Sequence, residues 1–136
     1  MPFLDTTVFL DLTSRRNKSR QEAAREAIRQ HKSSDFILVT SRFNVAELLV
    51  GIELCDDPIA ERRRIDEALE NVVILDFDEA CALRYAKIAA KLKKTGKPSG
   101  VMDVLIASVA LGTDQPLLTR NARHFSNITE LAVIAY

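Results

Sequence analysis

The chain has 136 residues, of which 47% are hydrophobic and 28% are charged, and these proportions are typical of a globular protein with one hydrophobic core. Its 19 basic and 19 acidic residues give a formal net charge of zero, so no overall field attracts a polyanion. The only two cysteines, Cys55 and Cys81, lack CxxC spacing and a nearby histidine pair, which excludes a disulfide framework and a zinc site. No leader peptide and no apolar run of the ~18 residues that span a membrane are visible, so we expect a cytoplasmic protein without membrane attachment.

Short apolar runs alternate with segments of helical spacing along the chain. In chain order, the first half predicts a strand at 3–4, a helical turn from Val8, a basic loop at 14–20, a helix over 21–31, a strand at 36–39, and a helix over 43–54 capped by Thr40 or Ser41. The second half predicts a helix from Pro58 to about Glu70 capped by Asp57, a strand at 72–75, a helix from Glu79 to Lys94 capped by Asp78, a helix over 103–111 stopped by Gly112, and strands at 117–119 and 133–135. This alternation predicts an α/β sandwich with a largely parallel sheet of four to five strands.

Three acids lie where apolar residues are expected. Asp5 follows the first strand, Glu47 lies inside the apolar segment 45–50, and Asp103 lies inside 101–107. Ionised carboxylates are rarely buried unless they are paired or bound to a metal, which makes the three acids candidates for a site. Asp5 and Asp103 could instead cap helices, and Glu47 could face solvent from a narrow polar stripe.

The predicted topology can bring these acids to one edge of the sheet. Ligands of open parallel sheets bind beyond the carboxyl ends of the strands, where Asp5 and residues 119–121 are predicted to lie. Carboxylates that converge repel one another and raise each other's pKa, and a divalent cation removes this conflict. An all-oxygen ligand set favours Mg²⁺ or Mn²⁺, and such an ion can activate water for attack on a phosphodiester.

Four motifs, in order along the chain, resemble those of PIN-domain nucleases. They are Asp5-Thr6-Thr7-Val8, residues 44–51 around Glu47, residues 96–107 around Asp103, and residues 118–125. Each motif alone is weak, but the ordered set runs from end to end and is fairly specific. The subgroup that the chain most resembles is the VapC-type toxins of bacterial and archaeal toxin–antitoxin pairs.

The resemblance implies a single PIN-like nuclease domain over residues 1–136, folded as an α/β/α sandwich. It also implies Mg²⁺- or Mn²⁺-dependent cleavage of RNA, a homodimer, and a cognate VapB-like antitoxin. Catalytic and metal-binding roles carry over to Asp5, Glu47 and Asp103. Many members have an acid where this chain has Asn121, so the chain lacks one acid of a four-acid, two-metal site. We expect the Asn121 amide to orient Asp5 or Asp103 and its carbonyl to face a metal-bound water.

Further candidates lie beside these motifs. The hydroxyls of Thr6 and Thr119 could hold a metal-bound water or could serve only a turn or a cap. His124 could pack at the edge of the site. Candidate contacts to RNA phosphates are the arginines near the motifs: Arg15, Arg16, Arg120 and Arg123.

Three other classes of protein also place acids at strand ends or share this pattern. A phosphoacceptor receiver domain needs an aspartate after a middle strand, but residues 40–42 are Thr-Ser-Arg. A haloacid-dehalogenase phosphatase needs Asp-x-Asp after its first strand, and residues 5–7 lack the second aspartate. A degenerate PIN domain that binds RNA or a protein without cleavage is favoured only by Asn121.

Overall fold

The computed structural model describes residues 2–31 and 37–136. Its strands are β1 (Phe3–Leu4), β2 (Leu38–Ser41), β3 (Val72–Leu75), β4 (Leu117–Thr119) and β5 (Val133–Ala135). Its α-helices are α1 (Thr6–Leu12), α2 (Lys18–Gln30), α3 (Arg42–Leu54), α4 (Pro58–Leu69), α5 (Glu79–Thr95) and α6 (Val101–Ala110). Short 3₁₀ turns follow α6 at Leu111–Thr113 and β4 at Ala122–Phe125. No helix among the described residues is both long and apolar enough to cross a membrane.

The five strands form one sheet in the order β3-β2-β1-β4-β5, and every neighbouring pair is parallel. The central strand is β1, where Phe3 pairs with Val39 of β2 and with Leu117 of β4. This confirms the predicted α/β fold and its parallel sheet, with all five expected strands present. Because all strands run the same way, their carboxyl ends meet at a single edge.

Helices cover both faces of the sheet, which gives the predicted three layers. Successive residues of a strand point to opposite faces, so Phe3 and Leu117 pack with α5 and α6 while Leu4 and Leu118 pack with α1, α3 and α4. The first core contains Phe3, Ile88, Leu92, Val104, Ile106 and Leu117. The second contains Leu4, Val8, Phe9, Leu48, Ile65 and Leu118.

The second strand lies later in the chain than predicted. We expected it at 36–39, whereas it spans Leu38–Ser41; Phe36 lies outside the described residues. The apolar pattern stops at Val39, but Thr40 and Ser41 remain buried because their hydroxyls are satisfied. The Thr40 Oγ1 donates to the Leu4 carbonyl (2.7 Å), and the Ser41 Oγ donates to the Asn44 Oδ1 (2.6 Å). Polar residues can therefore continue the strand.

Three helices begin two or three residues earlier than predicted, the first being α1, which begins at Thr6 and not at Val8. The segment 14–20 is only partly a loop, because the Asn17 side chain accepts from the Arg20 N–H (2.9 Å) and so caps α2 from Lys18. Helix α6 begins at Val101, two residues before Asp103.

The predicted stop at Gly112 is wrong. This glycine lies in the 3₁₀ turn after α6, and the left-handed residue that ends the turn is Asp114 (φ 54°). Aspartate tolerates this conformation better than most residues, which explains why no glycine is needed there. A glycine does end α5, at Gly96 (φ 64°).

The packing of α3 predicts that two leucine substitutions on this helix will affect stability differently. Leu48 is 2% exposed within the second core, while Leu54 on the same helix is 81% exposed. Leu48→Ala should lower the free energy of unfolding by about 2–5 kcal/mol, because it removes buried methyl groups and leaves a cavity. Leu54→Ala should change it by less than about 0.5 kcal/mol. Urea unfolding of both variants measures the difference, and equal losses would contradict this assignment of the core.

Candidate active site

A cavity of about 280 Å³ opens at the carboxyl edge of the sheet. It is lined by Asp5, Thr6, Thr7, Leu10, Glu47, Asp103, Asn121, His124 and Phe125. Asp5 directly follows the central strand, and Glu47 and Asp103 project from α3 and α6. The structure therefore brings together four residues that the sequence singled out for chemistry: Asp5, Glu47, Asp103 and Asn121.

Asp5 is only 5% exposed, and its carboxylate is held by three side chains. Its Oδ2 accepts hydrogen bonds from the hydroxyls of Thr7 (2.9 Å) and Thr119 (2.7 Å), and its Oδ1 accepts from the Asn44 Nδ2 (3.3 Å). Although Asp5 occupies the N-cap position of α1, its side chain makes no capping hydrogen bond. The cap alternative therefore does not explain this residue, and its carboxylate faces the cavity instead.

Glu47 lies in the second turn of α3 and is partly buried. Its Oε2 accepts a short hydrogen bond from the Thr6 hydroxyl, and that hydroxyl accepts from the Asn44 Nδ2 (3.0 Å). Asn44 is fully buried and thus links the carboxylates of Asp5 and Glu47. The alternative of a solvent-facing polar stripe is therefore wrong for Glu47, because its carboxylate is turned into the cavity.

Asp103 is the third residue of α6, whose N-cap position is taken by Gly100. It is therefore not the cap of its helix. Its Oδ2 faces the His124 Nδ1 at 3.8 Å across the cavity. A Cβ at Gly100 would lie 2.8 Å from this same oxygen, so a larger residue there would displace the Asp103 carboxylate from this orientation. The Gly100–Asp103 spacing in the third motif thus has a steric reason.

The three carboxylates affect one another electrostatically. Burial raises the pKa of Glu47, the Thr6 hydrogen bond lowers it, and the charges of Asp5 and Asp103 raise it further. Burial also raises the pKa of Asp103, with a lowering contribution from His124 and a raising contribution from Asp5. Both carboxyls are therefore harder to ionise than usual, and a cation among them would relieve the repulsion.

The donor set suits a hard divalent ion, since three carboxylates supply only oxygen. Across residues 2–31 and 37–136, however, no group of three His, Cys, Asp or Glu side chains stands close enough to form a ready-made metal cluster. Glu47 is turned toward Thr6 and Asp103 toward His124. Binding of an ion would therefore require these two side chains to rotate toward Asp5.

Asn121 lines the cavity, but its contacts differ from the expected ones. Its backbone N–H donates to the Thr119 Oγ1 (3.0 Å). No hydrogen bond joins its side chain to Asp5 or Asp103 within the described chain. The orienting role expected of its amide is performed for Asp5 by Asn44 and by the two threonine hydroxyls.

The hydroxyls of Thr6 and Thr119 both donate to carboxylates, and the Thr119 hydroxyl also accepts from the Asn121 N–H two residues later, as in a turn. Thr6 donates to Glu47, and Thr119 donates to Asp5 while it lies 3.2 Å from the Thr7 hydroxyl. Both are buried, so their hydroxyls hold the carboxylates in fixed orientations.

The candidate arginines occupy different places around this cavity. Arg123 is exposed in an adjoining pocket that also contains Asp103 and His124. Arg15 and Arg16 are exposed in a neighbouring groove that shares Leu10 with the cavity. Arg120 points elsewhere, because its guanidinium donates to the Asp11 Oδ1 (2.5 Å).

Three residues that support the site were given no role from the sequence: Asn44, Thr7 and Asp11. Asn44 could have been found from its spacing with Ser41, because each side chain bonds the other's backbone N–H in a capping box. That pattern predicts only the helix start, however. The contact with Asp5 depends on the approach of α3 to β1, for which the sequence holds no local signal.

The PIN domain family model matches residues 3–131 of this chain. Ribonuclease VapC1 of Haemophilus influenzae (strain R2866) is 34% identical over 128 residues, which covers 94% of this chain and 92% of that protein.

Solved structures agree in fold. VapBC-1 from nontypeable Haemophilus influenzae superposes with a TM-score of 0.82 at 32% identity, covering 98% of this chain and 96% of the other. DNA-bound VapBC from Salmonella typhimurium superposes with a TM-score of 0.83 at 25% identity, covering 99% and 98% of the two chains. The chain therefore belongs to the PIN-domain family and, within it, to the VapC ribonucleases.

Proposed function

We propose that residues 1–136 form one PIN-like nuclease domain that hydrolyses RNA phosphodiester bonds as a Mg²⁺- or Mn²⁺-dependent endoribonuclease. The observation that carries this proposal is the convergence of Asp5, Glu47 and Asp103 in one cavity at the carboxyl edge of the sheet. The similarity to Ribonuclease VapC1 supports the choice of RNA as substrate. Two free cysteines support a reducing, cytoplasmic location.

We assign Asp5, Glu47 and Asp103 as metal ligands. When bound, a divalent ion would neutralise charge on the phosphodiester and lower the pKa of a coordinated water. The residues of the chain prepare this site. Thr7, Thr119 and Asn44 hold the Asp5 carboxylate in place, whereas the Thr6 hydroxyl holds Glu47 in an orientation that Glu47 would have to leave to reach an ion bound at Asp5.

The exposed arginines around the cavity can bind the RNA backbone. Arg123 lies on the Asp103 side of the cavity, and Arg15 and Arg16 lie beyond Leu10 on another side. A strand that passes over the carboxylates could therefore meet cations at both ends of its path. Such local cations are needed because the net charge of the chain is zero.

The proposed partners are a VapB-like antitoxin and a second copy of the chain. Because VapBC is the assembly named for two similar structures, we propose that an antitoxin occludes the cavity, with an arginine fork directed at the carboxylates. Inhibition of cleavage by a coexpressed VapB-like protein, lost when that arginine is replaced, tests this proposal.

A non-cleaving PIN domain is the second candidate. It is favoured by Asn121, which supplies an amide where many members have an acid, and by the absence of a ready-made metal cluster in the described chain. A cleavage assay on mixed RNA with and without Mn²⁺ separates the two functions.

The first prediction concerns Asp103→Asn. This variant should lose detectable Mn²⁺-dependent cleavage, because a carboxylate ligand becomes a neutral amide, and Asp5→Asn should behave alike. Asp66→Asn is the matched control, since the Asp66 side chain is exposed on α4 and pairs, among the described residues, only with Arg62. Cleavage is followed on labelled RNA. Wild-type rates for Asp103→Asn or Asp5→Asn would rule out this site.

The same variant should change how the metal-free fold responds to pH. Because the folded pKa of Asp103 is raised, its neutral form favours the fold at low pH, and this contribution is lost as pH rises through the raised pKa. Metal-free Asp103→Asn should therefore gain stability relative to wild type from about pH 4 upward. Urea midpoints in EDTA between pH 4 and 8 measure this. A constant difference would contradict the raised pKa of Asp103.

The second prediction concerns Asn121→Asp. An added carboxylate in the cavity should tighten Mn²⁺ binding and could raise the number of ions bound, while Asn121→Ala should weaken activity about 10–100-fold without eliminating it. Calorimetric titration of wild type and Asn121→Asp with Mn²⁺ gives affinity and stoichiometry. If neither changes, Asn121 does not act on the metal.

The third prediction concerns the homodimer. Helices α3 and α5 expose apolar side chains that a monomer leaves in water, among them Val50 and Leu83. A twofold dimer would cover such residues, and it is the commonest oligomer. Light scattering at micromolar concentration should give about twice the monomer mass, and Leu83→Glu should reduce it to the monomer mass. A monomeric wild type would contradict the proposal.

A further inference from the structure

Asp11 is a buried charge that the proposed chemistry does not use. It lies on α1, one turn after Thr7, and it is 3% exposed. Its Oδ1 accepts from the Arg120 guanidinium (2.5 Å) and its Oδ2 accepts from the Tyr136 hydroxyl (2.9 Å). Burial and the neighbouring Asp11 raise the pKa of Tyr136, so its phenol remains a hydrogen-bond donor. Both oxygens of Asp11 are thus satisfied away from solvent.

Stability alone does not explain such a pair. Removing the Asp11 carboxylate and part of the Arg120 guanidinium from water costs about as much as their attraction returns, so such an ion pair is weak evidence for net stabilisation. A better-attested use is to select one arrangement of neighbouring segments. The segments that this pair joins are α1, which carries Asp11, and the end of β4, which is followed by Arg120.

Arg120 connects Asp11 to the end of β4, next to the carboxylates. Its backbone N–H donates to the Thr7 Oγ1 (3.1 Å), and the next N–H, of Asn121, donates to the Thr119 Oγ1 (3.0 Å). Both hydroxyls in turn donate to the Asp5 Oδ2. The guanidinium and the backbone N–H of Arg120 therefore both fasten the end of β4 to α1, next to the two hydroxyls that donate to the Asp5 Oδ2.

We propose that Asp11 is a positioning residue that acts through Arg120: it holds the end of β4 against α1 so that Thr7 and Thr119 fix the orientation of Asp5. We call the contacts of Arg120 with Asp11 and Thr7 the clamp. Arg120 then belongs to this clamp and does not bind RNA phosphate. The inference rests on the proposed nuclease function, and it replaces the sequence-based assignment of Arg120 to RNA binding.

The kinetic test uses Asp11→Asn and Arg120→Lys, with Tyr136→Phe as the structural control. Asp11→Asn keeps the shape but removes the charge that holds Arg120, and Arg120→Lys keeps a cation but loses the planar guanidinium. We expect kcat to fall about 10-fold or more in both variants, as for other residues that orient metal ligands, with KM for RNA unchanged. The double variant should be no worse than either single one, because both break the same contact. Tyr136→Phe should keep most of kcat even if its thermal midpoint falls.

The opposite role for Arg120 predicts opposite changes. If Arg120 bound RNA, Asp11→Asn would free its guanidinium and lower KM, while Arg120→Lys would raise KM with little change in kcat. Either result would overturn the proposal. Equal loss of kcat in Tyr136→Phe and Asp11→Asn would also overturn it, since general loosening of the fold would then suffice.

Amide hydrogen exchange supplies a readout that does not depend on nuclease activity. Exchange at the N–H groups of Arg120 and Asn121 should accelerate in metal-free Asp11→Asn but not in Tyr136→Phe, because only the former releases the end of β4. Unchanged protection in Asp11→Asn would refute the clamp. An inactive wild type with the expected exchange pattern would instead refute the nuclease function and leave the clamp standing.

Discussion

The candidate site depends on keeping the polar side chain of Asp5 buried at the end of the central strand. A carboxylate removed from water is strongly unfavourable unless donors replace its hydration. Here the donors are Thr7, Thr119 and Asn44, which belong to α1, β4 and α3. Each of these elements must be in place before Asp5 is satisfied, so the geometry of the site and the packing of the fold are coupled.

The parallel sheet makes this coupling possible. Its strands end at one edge, and the helices that leave this edge carry Glu47 and Asp103 over the end of β1. This convergence raises the pKa of both carboxyls, chiefly because they are partly buried and to a smaller extent because neighbouring acids repel them. A site that is unfavourable when empty binds a cation more strongly, because the ion relieves a cost already present in the fold.

Some charged side chains near the site face the cavity, whereas others form ion pairs that join the elements around it. Arg120 illustrates the difference, since its position in the fourth motif suggests contact with RNA but its guanidinium is paired with buried Asp11. Arg123, three residues later, is exposed beside Asp103. These two arginines lie in one short segment but have different surroundings. No local pattern of charge in the sequence distinguishes one from the other.

Local signals in the sequence predicted the fold class and the strands at 3–4, 72–75, 117–119 and 133–135. They also singled out the three acids that line the cavity, because apolar periodicity and a charge inside an apolar segment can both be recognised from neighbouring residues. Tertiary structure decided the extent of β2, where Thr40 and Ser41 are satisfied by groups that the apolar pattern does not contain. It also decided that Asn44, rather than Asn121, supports Asp5. The Thr40–Leu4 and Asn44–Asp5 contacts join residues 36 and 39 positions apart along the chain, and the Ser41–Asn44 contact depends on a single rotamer, so they arise only when the helices pack on the sheet.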